Sequence, residues 1–218
     1  LLLTASNDEF NSAKKLITDC TNVEEAPFQS CQGTINGVPS ILIRTGLGKV
    51  NAALAASYAI QNYNPEYILA FGLSGLLNPA LKVGDIIYVG SVAEHDYGTI
   101  KENGSLEPFD VDWIELATDR FLEDGEKLYK GVAVTGSQFI SNQSKSEWLK
   151  KHFGADIVDM ESYSIGKACK IYKTKCVILR IVSDTADSNA HKDYDLSVNK
   201  LSAKIADSAI KLVSQLRK

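Results

Sequence analysis

Apolar positions along the chain switch between a period of two and a period of roughly 3.6, the signature of strands alternating with helices. Leu1-Leu2-Leu3-Thr4-Ala5 predicts a short buried strand, and Ser6-Asn7-Asp8-Glu9 places capping residues ahead of a helix from Phe10 to Ile17. Glu9 falls at that strand-to-helix junction. Strands are predicted from Phe28 to Thr34 and from Ser40 to Arg44, paired antiparallel through Asn36-Gly37, two residues that accept the positive φ of a tight hairpin turn. After Thr45-Gly46-Leu47-Gly48-Lys49, small and apolar residues recur at helical spacing from Val50 to Ile60 until Asn64-Pro65 stops them.

An apolar strand, Tyr67 to Phe71, then runs into Gly72-Leu73-Ser74-Gly75, and Lys82-Val83-Gly84-Asp85 opens another from Ile86 to Gly90. The polar stretch from Asp96 to Pro108 reads as a loop, and Val111 to Leu122 as a helix. Tyr129 to Val134 is a strand and Lys145 to Phe153 a helix. Ile157-Val158 is a short strand turning directly into a helix from Glu161 to Tyr172. Cys176 to Val182 is a buried strand ending at Ser183-Asp184, and Leu196 to Leu216 an amphipathic helix. This alternation, with its early hairpin, predicts an α/β fold: a three-layer sandwich whose central sheet is mixed, largely parallel and covered on both faces.

Composition narrows the class. The 218 residues are 44% hydrophobic and 23% charged, enough to bury a sizeable core in one domain spanning 1–218. The net charge is −4, and Lys and Arg are scattered among acids, so the basic stripe that tracks nucleic-acid phosphates is missing. No apolar run reaches the roughly 18 to 20 residues that span a bilayer, so no membrane partner and a cytoplasmic location are expected. Cys20, Cys31, Cys169 and Cys176 form no CxxC pair; free thiols and no metal site are expected.

Ligands gather at the carboxyl ends of strands in open α/β sheets. Four polar places lie there: Glu9, the loop from Gly72 to Gly75, Asp159-Met160-Glu161, and Arg180 to Asp184. Singly, each acid has an ordinary explanation as a helix-start or turn residue. Several acids converging on one sheet edge would repel each other unless a substrate or a proton exchange justified them.

Five segments then carry a resemblance: Gly46-Leu47-Gly48-Lys49-Val50-Asn51-Ala52-Ala53, Leu81-Lys82-Val83-Gly84-Asp85, Gly136-Ser137-Gln138-Phe139-Ile140, Val158-Asp159-Met160-Glu161, and Arg180-Ile181-Val182-Ser183-Asp184-Thr185-Ala186-Asp187. In this order they resemble the 5′-methylthioadenosine/S-adenosylhomocysteine nucleosidase family, within the nucleoside phosphorylase superfamily. The resemblance implies a nucleoside phosphorylase-like fold and cleavage of an N-glycosidic bond with release of adenine, without a cofactor. Breaking C1′–N9 produces an oxocarbenium-like sugar and a purine anion, so the site needs an acid at the base, a carboxylate near the ribose and an activated nucleophile. By resemblance Asp184 protonates adenine N7, with Ser183 and Arg180 as neighbours that help it hold the proton. Glu161 grips the ribose hydroxyls, and Met160 packs on the sugar. Glu9 deprotonates water; the family's opening Gly-Ala-x-x-x-Glu has Thr4 in place of its glycine. Phe139 stacks on adenine, the Ile140 backbone reads its edge, and Leu47 and Leu73 line the pocket.

Related purine phosphorylases bind phosphate with arginines, one of them two residues before the loop glycine matching Gly72; Ala70 stands there, and Leu73 where a serine is common. Water is thus favoured as nucleophile, with Arg44 keeping phosphate open. Ser6 replaces a usual Met and Tyr194 a usual Phe, which makes the 5′ pocket more polar and keeps a futalosine hydrolase-like activity as an alternative. His191 and Lys192 could serve such a tail, although a solvated loop is the expected reading of both. His95 and His152 are expected to be structural or exposed. A nucleoside-binding protein without catalysis is a further alternative, opposed by Glu9, Glu161 and Asp184 occurring together. Family members are commonly homodimers in which the neighbour closes the 5′ pocket, and the loop from Asp96 to Pro108 is the expected contact.

Overall fold

The computed structural model describes residues 1–116 and 129–215. Strand β1 (Leu2–Thr4) leads into helix α1 (Asn7–Lys14), and β2 (Thr18–Asn22), β3 (Ser30–Ile35) and β4 (Val38–Arg44) follow. Helix α2 (Lys49–Tyr63) precedes β5 (Tyr67–Leu76), β6 (Ile86–Glu94), β7 (Gly98–Ile100), β8 (Leu106–Pro108) and β9 (Ile114–Glu115). Then come β10 (Tyr129–Thr135), α3 (Gln143–Phe153), β11 (Ile157–Asp159), α4 (Ser162–Tyr172), β12 (Lys175–Asp184) and α5 (Ala190–Val213).

The sheet runs β11-β10-β6-β12-β5-β1-β4-β3-β2, with β9 on β6. β5 is parallel to both β1 and β12, whereas β12 is antiparallel to β6. Ile157 and Val158 of β11 also pair back onto Leu76 and Gly75 of β5, closing one half of the sheet into a ring. Both faces are covered. Leu69 and Phe71 of β5 and Leu179 and Ile181 of β12 pack with Phe10 of α1 and Ile205 and Leu212 of α5. Ile68, Ala70, Ile178 and Val182 point the other way, onto Ala52 and Ala56 of α2 and Ile165 of α4. The period of two in each central strand thus builds the three-layer α/β sandwich. Arg180 lies between Leu179 and Ile181 on an otherwise apolar strand and is 2% exposed, so its charge has to be matched inside the protein.

Local chemistry sets the helix starts nearest the site. α1 begins with a capping box in which Ser6 Oγ accepts from Glu9 N–H and the Glu9 carboxylate accepts from Ser6 N–H. α2 follows Gly48, whose φ of 90° favours a residue without Cβ.

Several expectations change. The helix read over Val111 to Leu122 is not found in its described part: Ile114 and Glu115 pair with Val92 and Ser91 of β6, beyond the stretch of that strand paired with β12, where its backbone groups need partners. The remainder of that segment, 117–128, lies outside the described residues. The loop from Asp96 to Pro108 carries the β7–β8 ribbon. α5 starts at Ala190 rather than Leu196. β2 escaped prediction because it is polar and largely exposed, with no alternation to read. Cys20 and Cys31, expected as free thiols, form a disulfide: pairing of β2 with β3 brings their Cα atoms to 5.6 Å, a reach that spacing along the sequence does not reveal. Cys169 and Cys176 are free and buried. Among the described residues no helix is long and apolar enough to cross a membrane.

Candidate active site

A cavity of about 350 Å³ opens at the carboxyl ends of β1, β5, β11 and β12. All ten residues expected from the sequence line it: Glu9, Leu47, Leu73, Phe139, Ile140, Met160, Glu161, Ser183, Asp184 and Tyr194. A larger hollow of about 700 Å³ lies near Leu1, Pro65 and Tyr67, but Glu66 is the single carboxylate on its described lining. Convergent polar groups, rather than size, mark the site.

At one end of the cavity Glu9 is held by three backbone amides: Ala5 and Ser6 donate to Oε2 at 2.9 Å each, and Leu73 donates to Oε1 at 3.0 Å. A Cβ built on Gly72 would sit 2.6 Å from both Glu9 Oε1 and Arg180 Nη1, so only glycine lets these groups converge there. Arg180 Nε donates to Ser162 Oγ and pairs with Asp159 Oδ2, each at 3.0 Å, while Nη2 lies 3.5 Å from Glu161 Oε2. Burial disfavours the guanidinium charge, but Asp159, Glu161 and Glu9 together raise its pKa above the ordinary arginine value.

Glu161 follows β11 at the mouth of α4. Asp159 Oδ1 accepts the backbone N–H groups of Glu161 and Ser162 and the Thr135 hydroxyl, which fixes the turn. Gly48 N–H donates to Glu161 Oε1 at 2.9 Å. Desolvation pushes Glu161 up to about 7 against the pull of Arg180, with Asp159 adding to the rise.

Asp184 sits near Gly75, three residues beyond Gly72 on β5 and so about 10 Å along the strand. Its Oδ1 accepts from Ala186 N–H at 2.9 Å, and Ser183 Oγ lies 2.7 Å from Oδ2 and 3.1 Å from the Ser74 carbonyl. Ser183 can donate to the Asp184 carboxylate, or donate to Ser74 while accepting from a protonated Asp184. The carboxyl therefore keeps a partner before and after losing its proton. Burial raises the Asp184 pKa above the usual carboxylate range, against the bonds from Ser183 and Ala186.

A wall of rings lines the same cavity. The Phe139 ring stacks on His191 at 4.5 Å and meets the edge of Tyr194 at 5.8 Å. Burial, with Glu9 and neighbouring acids, pushes the Tyr194 phenol up to about 12. Among the described lining residues, Glu9, Asp159, Glu161, Asp184 and Asp195 carry carboxyl groups, and none is Lys or Arg.

The sequence profile described as the phosphorylase superfamily matches residues 1–216. The chain belongs to the phosphorylase superfamily. It is similar to the aminodeoxyfutalosine nucleosidase of Campylobacter jejuni, 30% identical over 99% of this chain and 98% of that one. It is also similar to the 5′-methylthioadenosine/S-adenosylhomocysteine nucleosidase of Bacillus subtilis, 26% identical over 99% and 98%. A crystal structure of the Helicobacter pylori nucleosidase of the same name shares the fold, with a TM-score of 0.89 at 23% identity, covering 98% of this chain and 97% of that one.

In this superfamily member three expectations change. Arg180, read as a neighbour of Asp184, turns to Asp159 and Glu161 and lies behind the Glu9 end of the cavity; Ser183 alone of the two holds Asp184. His191 is no bystander in a solvated loop, because α5 starts early enough to lay its ring on Phe139. Arg44 does not line the cavity; its Nε donates to Gln29 at 2.7 Å. His95 is fully buried and His152 stacks on Trp148. Asp195 and Gln138 also line the cavity and were not singled out. For Arg180 a signal was present: a charged residue inside an apolar strand needs buried counter-charges.

Proposed function

We propose that the chain hydrolyses the N-glycosidic bond of 5′-methylthioadenosine and S-adenosylhomocysteine, releasing adenine. Asp184 donates a proton to N7, which lets the base leave with the C1′–N9 electron pair. Glu161 accepts the ribose hydroxyls, and its charge favours the sugar cation that develops as the bond lengthens. At the other end Glu9, its free lone pairs beside Arg180 above Gly72, takes a proton from water as the water oxygen bonds to C1′. The products are adenine and a 5-substituted ribose.

One observation carries the choice of water over phosphate: five carboxyl groups and no Lys or Arg on the described lining. A phosphate dianion entering there would find acids and rings but no cationic side chain on the described lining, while Arg180 is already engaged by Asp159 and Glu161. The deciding experiment follows adenine release from each nucleoside with and without phosphate. Release unchanged by phosphate is the expected result, and release that requires phosphate would overturn the hydrolytic reading.

A second substrate class, the aminodeoxyfutalosine type, is favoured by the polar side chains of Ser6, Tyr194 and His191 on the cavity lining, and the Campylobacter jejuni relative carries that name. Parallel turnover of the three nucleosides ranks the tails. The active form we propose is a homodimer. Leu47, Val50 and Leu54, 59%, 72% and 59% exposed, form one stripe at the start of α2, and Leu47 also lines the cavity, so a second copy seated on this stripe would help close the site.

A further inference from the structure

The strongest feature outside the reacting groups is a half-buried ionic latch between two loops. Lys49, the first residue of α2, places Nζ 2.5 Å from Glu94 Oε1 and 2.5 Å from Asp96 Oδ1. The second oxygen of Asp96 accepts the backbone N–H of Ser137 at 2.7 Å. Lys49 follows Gly48, the residue whose amide holds Glu161, and Ser137 opens the segment that carries Phe139 and Ile140. These side chains are 19% (Lys49), 23% (Glu94) and 12% (Asp96) exposed, less open than the surface pairs that contribute little. At the root of the second loop the buried ring of His95 packs so closely on Gly136 that a Cβ there would lie 2.2 Å from His95 Nε2. The loop is thus held by packing on one side and by Asp96 on the other.

We infer that Lys49 is a positioning residue: through Asp96 it ties the loop that orients Glu161 to the loop that frames the base, so both halves of a nucleoside meet preset partners. Its kinetic consequence rests on the nucleosidase reading, while the latch itself does not. Pre-set loops reduce the ordering that binding would otherwise require. Losing Lys49 therefore acts on substrate capture more than on bond cleavage. For Lys49→Met, KM should rise about tenfold while kcat changes by less than about threefold, and Lys49→Arg should restore most of the difference.

Two measurements separate the outcomes. Amide hydrogen exchange on the ligand-free chain should show faster exchange in residues 46–50 and 136–140 together in Lys49→Met, but not in the surface control Lys167→Met. Unchanged protection of 136–140 in Lys49→Met overturns the latch, whatever the activity. If the loops loosen, steady-state kinetics decide the role: a KM shift rescued by Arg supports it, and KM unmoved, or kcat falling as far as kcat/KM, removes it. A wild-type chain that releases no adenine would instead sink the nucleosidase reading, and the exchange result would still stand on its own.

Discussion

Glu9 Oε1 and Arg180 Nη1 converge above Gly72, each 2.6 Å from the point where a Cβ would be. The bare glycine, the carboxylate and the guanidinium therefore act as one unit, and filling the gap should disturb both charged groups. Gly72→Ala is expected to lower kcat by at least about a hundredfold through displaced geometry. Steady-state assays alongside a folding check would test this, and near-normal turnover in a folded variant would remove the proposed water site.

The jobs proposed for Asp184 and Glu9 are separable, because the two acids stand at opposite ends of the cavity. Asp184→Asn and Glu9→Gln are each expected to lower kcat by about 10² to 10⁴, the usual worth of a general acid or base, with substrate still bound. Single-turnover assays combined with binding calorimetry read both quantities. Retained turnover in either variant would strip that residue of its role.

Glu161 couples folding stability to pH. Its unfolded form titrates near 4.5 and its folded form near 7, so within that window the folded chain binds more protons, and stability declines as pH rises. Above pH 7 the buried charge opposes folding by up to roughly 3 kcal/mol, taking about 1.4 kcal/mol for each pKa unit. Glu161→Gln is expected to be more stable than wild type at pH 8, to gain less at pH 5, and to lose turnover. Urea melts at the two pH values check the sign. Destabilisation at pH 8 would mean that pairing with Arg180 outweighs the cost of burial.

The Cys20–Cys31 bridge closes a short loop at the edge of the sheet, with a sequence separation of 11. Opening it by Cys20→Ser with Cys31→Ser should lower stability by roughly 3 kcal/mol through the entropy regained by the unfolded chain. Alkylation of the denatured, unreduced protein should label Cys169 and Cys176 alone. Labelling of all four cysteines would show the bridge to be absent.

The sequence by itself determined the α/β class, most strands and four of the five acids on the described cavity lining, because period and strand-end position are local properties that the chain displays directly. Glu9 could be read from the capping run Ser6-Asn7-Asp8, and Glu161 and Asp184 from their places after apolar strands. Only tertiary structure decided what those acids do to one another. β5 and β12 pair in parallel register, setting Arg180 opposite Gly72, so the guanidinium reaches Asp159 and Glu161 and faces Glu9 over Gly72, rather than Asp184. His191 met Phe139, Cys20 met Cys31, and Lys49 met Asp96 for the same reason: electrostatic and packing partners far apart in sequence are chosen by the register and crossing of elements, which no local pattern encodes.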